Sequence, residues 1–341
     1  MKYKLSATLA AIALTGVTHN VYAEGKLNLV CSATVDVCES LAKGFSEKAD
    51  VDVNMVRLSS GEVFARVRAE ARNPKLDIWW GGTGEPHLQA AELSLTEPYK
   101  SKHLPELHDW AVSQAKSANY RTVGVYSGVL GIAYNTELLA KKGIEPPKCW
   151  EDLLNPKLEG EIQVANPNSS GTAYSVLATL SQLMGENEAY LYLMKMNENV
   201  SQYTKSGSAP VKSAARGENA VAIVYLHDAI KQSVKGFPIE TVAPCEGTGY
   251  EIGSMSIVKG ARNAENARLF YDWVLTPDAQ SRLKDVGSYQ LPSNKSSTIP
   301  EKAPRLEETK LIDFDFVTYG SSETRIRLLK RWDAEVGVLA K

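Results

Sequence analysis

Residues 219–253, NAVAIVYLHDAIKQSVKGFPIETVAPCEGTGYEIG, constrain more than any other stretch what this chain can fold into. The β-branched run at 221–224 reads as a buried strand, and it delivers Tyr225, His227 and Asp228 to its carboxyl end just as a helical pattern starts. Ligands of open α/β sheets sit at such ends. A second turn carries Cys245, Glu246, Gly247 and Glu251 ahead of another apolar run. On this reading two acids and one imidazole converge on a single cleft of an α/β protein.

The 341 residues suffice for two domains with substantial cores. Residues 1–23 carry Lys2 and Lys4, an apolar centre at 9–14 and a small-residue end at Ala23. That is the pattern of a secretory signal peptide cleaved after Ala23, too short and wrongly flanked for a membrane span. No other segment approaches the roughly 18 consecutive apolar residues of a spanning helix, so a soluble periplasmic protein is expected. The chain has 38 basic and 40 acidic residues, and losing Lys2 and Lys4 leaves 36 against 40, a formal charge of −4. A nucleic-acid partner, which calls for a basic surface, is not expected.

Along the mature chain, residues 26–31, 52–58, 76–80, 161–165 and 254–258 pattern as strands, and 35–45, 87–93 and 209–216 as helices. Ser59 and Glu62 fit a capping box at a helix start. The extended passage 120–135 is a candidate crossover between lobes.

Turns at 59–61, 81–84, 168–172 and 204–208 share one design, in which hydroxyl-bearing or glycine residues open a helix. Exposed backbone N–H groups and the helix dipole make each a candidate anion site. The phosphate donors expected are Ser59, Thr83, Ser169, Ser170, Gly171, Thr172 and Ser206. Asp228 and Glu251, if ionised, only accept hydrogen bonds, so with His227 they suit sugar hydroxyls. A two-ended, phosphorylated ligand follows. The plainer alternative makes His227 and Asp228 a helix start and its cap, and Ser59 with Glu62 a structural box only.

No G-x-S-x-G elbow and no H-E-x-x-H run is present, so no catalytic residue is assigned. Two carboxylates beside His227 leave an exported phosphatase or glycosidase as a rival. Four cysteines in an oxidising compartment favour two disulfides, with Cys31 near Cys38 and Cys149 left with Cys245. The rival is a thiolate metal site, but no C-x-x-C spacing supports it, and neither a metal nor a cofactor is expected.

The succession GGTGE, GVLGIAYNT, PPKCWEDLLNPKLEGEIQVANPNSSGTAY, YTKSG and YQLPSN closely resembles the ferric-ion-binding-protein-like group of periplasmic solute-binding proteins of ABC importers. The resemblance covers nearly the whole mature chain. It implies a type II-like α/β protein of two lobes joined by crossing strands, with ligand enclosed between them by hinge closure. It also implies one lobe at 24–131 plus 255–292, another at 132–254 plus 293–341, a monomer, and delivery to a permease and ATPase at the inner membrane.

The iron-binding members carry adjacent tyrosines at the end of the strand that corresponds to 221–224. Here the place reads Tyr225, Leu226, His227, Asp228, and strand alternation puts Tyr225 and His227 on the same side. His227 and Asp228, with Glu251 in GTGYEIG and Ser59 in LSSGE, are instead similar to the branch that binds hexose phosphates. There the matching histidine, aspartate and glutamate recognise ligand. A hexose phosphate such as glucose 6-phosphate is therefore the expected ligand. Ferric or another metal ion, or another organophosphate such as a phosphonate or phosphoglycerate, are the alternatives.

Overall fold

The computed structural model describes residues 25–339; the signal peptide expected over residues 1–23 lies outside them. The described residues form ten strands: β1 (Lys26–Cys31), β2 (Asp52–Arg57), β3 (Ile78–Trp80), β4 (Val123–Asn135), β5 (Ile162–Ala165), β6 (Val200–Thr204), β7 (Val221–Tyr225), β8 (Ile239–Val242), β9 (Tyr250–Ile257) and β10 (Leu291–Pro292). The sheet order is β2-β1-β3-β9-β4-β7-β5-β6, with β8 and β10 also paired to β4. The runs β2-β1-β3 and β6-β5-β7 are parallel, and helices link their strands, as parallel pairing requires. Among the described residues no helix is long and apolar enough to cross a membrane.

The 13 residues of β4 carry the architecture. From Val123 to Val129 it pairs antiparallel with β9, and from Leu130 onward it pairs with β7 and β8. One strand thus serves two lobes, and β9 starts beside the crossing point. Two cores follow. Leu27, Leu29, Phe45, Ile78, Trp80 and Phe270 help fill the first, where Phe45 and Phe270 pack edge to face at 5.1 Å. Ile132, Trp150, Tyr174, Tyr190 and Trp332 help fill the second.

The strand reading at 254–258 starts too late: β9 begins at Tyr250, so Glu251 lies in a ladder opposite Gly128 rather than in a turn. Alternation hides this start, because β9 is buried along almost its whole length and carries polar residues inside. Upstream of β9 the chain is pinned. Cys245 is bonded to Cys149, the Trp150 indole N–H donates to the Gly247 carbonyl at 3.0 Å, and Glu246 accepts from the Trp150 and Glu151 amides at 2.8 and 3.0 Å. Cys31 and Cys38 form the second disulfide, between the end of β1 and the helix Val35–Ala49.

The two bridges close very different loops, with sequence separations of 96 and 7. Loop-closure entropy then predicts that losing Cys149–Cys245 (both to Ser) costs about 4 to 5 kcal/mol, and losing Cys31–Cys38 about 2 to 3. Denaturant unfolding of the two double variants measures the difference; equal losses would contradict this account.

Candidate functional site

Six helices begin at one place. Their N-cap residues are Thr34, Ser59, Thr83, Ser170, Ser208 and Tyr225, and all six line a single cleft between the lobes. Each helix start leaves backbone N–H groups without an intrahelical partner and carries the positive end of the peptide dipoles. Of these N-cap side chains, Ser170 accepts a bond from its own helix, from the Ala173 amide at 3.4 Å. The cleft encloses about 600 Å³ of space not filled by protein atoms, part of it open to solvent.

The lobes meet around it. Gly61 N–H donates to the Ser169 carbonyl at 3.1 Å, Lys205 pairs with Glu62 at 2.6 Å, and Ser175 Oγ donates to Glu85 Oε1 at 3.1 Å. Lys231 bridges to Asp36 and to the Val286 carbonyl. Closure also depends on Gly171, where a Cβ would collide with the Thr83 side chain from the other lobe. The capping box at Ser59 and Glu62 is present, with the Ser59 amide donating to Glu62 Oε2 at 3.1 Å.

At the other side of the cleft lie His227 and Asp228, in the first turn of the helix Leu226–Val234, and Glu251 on β9. His227 Nε2 is 3.9 Å from both Asp228 Oδ2 and Glu251 Oε1. Its ring stacks on Tyr225, 5.7 Å away and within 6° of parallel, although the strand has ended and a helical turn makes the contact. Gly128 makes room: a Cβ there would press on the His227 ring at 2.5 Å and on Glu251 Oε1 at 3.2 Å. His227 Nδ1 is buried against Gly128 without a hydrogen-bond partner, while Nε2, on the side of Asp228 and Glu251, lies 3.4 Å from Gln290 Nε2.

Burial sets the protonation states. It pushes the His227 pKa down, with Asp228 opposing and Lys231 adding to the effect, so the imidazole stays neutral near pH 7. The Glu251 carboxyl is pushed well above its ordinary range by burial first, then by the Asp228 and Glu85 charges. A protonated Glu251 donates as well as accepts, which the sequence reading, based on an ionised acid, does not provide.

Of the sequence-derived phosphate set, Ser59, Thr83, Ser170, Gly171 and Thr172 line the cleft. Ser169 and Ser206 do not. The Ser169 hydroxyl is spent on the Lys205 carbonyl at 2.9 Å, and Ser206 Oγ accepts from Arg57 Nη2 at 3.1 Å. Arg57 is the residue that sequence reasoning missed. It ends β2, lines the cleft, and is fixed by bonds to the Ala33 carbonyl (3.0 Å), Ser59 Oγ (3.3 Å) and Ser206. Its signal is a lone cation closing an alternating strand directly before a capping box. Tyr126, whose hydroxyl accepts from the Gly82 amide at 2.7 Å, and Gln290 also line the cleft.

Because Glu251 keeps its proton longer in the folded chain than in the unfolded one, its stabilising contribution is complete below its ordinary value of 4.5. That contribution is lost as pH rises through the raised folded value. Glu251→Gln removes that loss. The variant is expected to melt higher than the parent at about pH 8, with the gap closing toward about pH 4. A gap independent of pH in thermal melts would refute the assignment.

A family model for bacterial extracellular solute-binding proteins matches residues 74–318. The chain is similar to the periplasmic binding protein AfuA from Actinobacillus pleuropneumoniae, solved with exogenous fructose-6-phosphate bound. The two are 46% identical with a TM-score of 0.90, covering 92% of this chain and 99% of that one. It is similar to the periplasmic binding protein P5PA at 41% identity and a TM-score of 0.89, again covering 92% and 99%. An uncharacterized protein of Haemophilus influenzae is 46% identical over 338 residues, 98% of each chain. The chain therefore belongs to the bacterial extracellular solute-binding proteins, with the two-lobed fold of the periplasmic binding proteins that serve ABC importers.

Proposed function

We propose that this protein captures a phosphorylated sugar, a hexose phosphate such as glucose 6-phosphate or fructose 6-phosphate, in the periplasm and hands it to a membrane permease and ATPase without chemistry on it. The observation that carries this reading is the division of one cleft into two kinds of surface. Helix starts, the Ser and Thr hydroxyls and the Arg57 guanidinium suit a phosphate dianion. His227, Asp228 and Glu251 suit a polyol. The similarity to AfuA, which was solved with fructose-6-phosphate, supports the same class of ligand.

In this reading the phosphate lies among Ser59, Thr83, Ser170, Gly171, Thr172 and Arg57. Asp228 accepts from hydroxyl groups, neutral His227 meets them through Nε2, and Glu251 does so through a carboxyl whose burial favours the protonated form. Selectivity then comes from polar groups left unpaired when a hydroxyl is missing or misplaced. Asp228 also faces Arg57 electrostatically, so it tempers the attraction for a bare anion.

Titration calorimetry with glucose 6-phosphate, fructose 6-phosphate, inorganic phosphate, glucose, an aminoalkylphosphonate and a ferric salt tests the class. Sugar phosphates are expected to bind at micromolar concentrations and the free sugar not to bind. Asp228→Ala should weaken sugar phosphate binding by about 10- to 100-fold, the cost of one or two lost hydroxyl contacts, and leave inorganic phosphate unchanged or tighter. Arg57→Ala should weaken both phosphorylated ligands and inorganic phosphate. Equal losses for every ligand on Asp228→Ala, or tight binding of the ferric salt alone, would sink the reading.

A further inference from the structure

The cleft does not end at Asp228. A second cavity, enclosing about 460 Å³ including open solvent, adjoins it, and Thr34, Ser208, Asp228 and Lys231 line both. Lys231 is the longest side chain at that shared boundary. Its side chain is only 8% exposed, because its ammonium group is tied to Asp36 and, at 2.9 Å, to the Val286 carbonyl, both on the opposite lobe. A long, strongly hydrated side chain is costly to bury and order, so its place depends on those two bonds. Beyond it the second cavity holds the exposed cations Lys212 and Lys235 and the amide of Gln232, with Asp36 as its other acid.

We propose that Lys231 is a specificity-determining residue, which with Asp36 walls the cleft off from this second cavity and so restricts the ligand to a single phosphate group. This rests on the sugar-phosphate reading above. With the wall in place, a second phosphate at the far end of the sugar has no room and meets the carboxylate of Asp228. With the wall removed, the same group reaches Lys212 and Lys235. A sugar bisphosphate is the ligand that spans both compartments.

The test uses the full mature chain, with fructose 6-phosphate and fructose 1,6-bisphosphate as probes in titration calorimetry. The double variant Lys231→Ala with Asp36→Ala opens the passage and leaves the net charge unchanged. Lys231 also ties the lobes, so both ligands weaken in that variant; the readout is the ratio of the two dissociation constants. The parent is expected to prefer the monophosphate by at least about 100-fold, and the double variant to reduce that preference by at least about tenfold. Asp36→Ala alone removes one of the two bonds that place Lys231 but keeps the lysine stem, so it should lower the ratio only part of the way toward the double variant's value. Should the double variant not melt cooperatively, Lys231→Ser with Asp36→Asn carries the same comparison.

An unchanged ratio in the opened variant overturns the wall. So does a parent that takes both ligands equally, or an Asp36→Ala variant that shifts the ratio as far as the double one. In each of these cases retained fructose 6-phosphate binding leaves the sugar-phosphate reading standing. A parent that binds neither probe overturns both.

Discussion

Polar groups shut away from water between two lobes are the constraint on which this structure depends. Closure buries His227 and Glu251, half-buries Arg57, and gathers six helix starts whose first N–H groups have no partner within their own helices. Desolvating such groups costs free energy unless each finds a partner. The protein supplies part of that partnership: Arg57 bonds to Ser59, Ser206 and Ala33, and Lys231 to Asp36 and Val286. Some buried side-chain atoms in the cleft, Thr83 Oγ1 and the Tyr225 hydroxyl among them, have no partner within the protein.

Placing those groups falls to the two crossing segments. Because β4 pairs with β9 in one lobe and with β7 and β8 in the other, Gly128, the end of β7 and the start of β9 come together at the lobe boundary. Gly128 leaves the space that His227 and Glu251 occupy, and the Cys149–Cys245 anchor fixes the chain just ahead of Glu251. Stability and site geometry are therefore tied at this point: the bridge that closes the longer loop also holds the approach to β9.

Charge in the cleft is tuned by burial rather than by residue type. Glu251 is drawn toward its neutral form and His227 held in its neutral form, which leaves Asp228 as the acid that confronts Arg57. Lys231, a cation lining the same space, is committed to the opposite lobe. A count of charged residues along the chain conveys none of this.

Periodicity and turn chemistry determined many of the elements from the sequence alone, though not β6 or β8. The alternation of β2, the apolar run of β7, the capping box at Ser59 and the hydroxyl-rich starts before Gly84 and Gly171 are local properties, set by backbone dihedrals and by neighbours within one turn. The motif order likewise pointed to a two-lobed binding protein. Only the tertiary structure decided that Ser169 and Ser206 turn to other partners while Arg57 enters the cleft, that Glu251 sits in a strand opposite Gly128, and that Lys231 lines two adjoining cavities. Most of these depend on contacts between segments more than a hundred residues apart, such as Arg57 with Ser206 and Lys231 with Asp36. Side-chain protonation and direction follow burial, and burial is a property of the packed lobes that no local stretch of sequence carries.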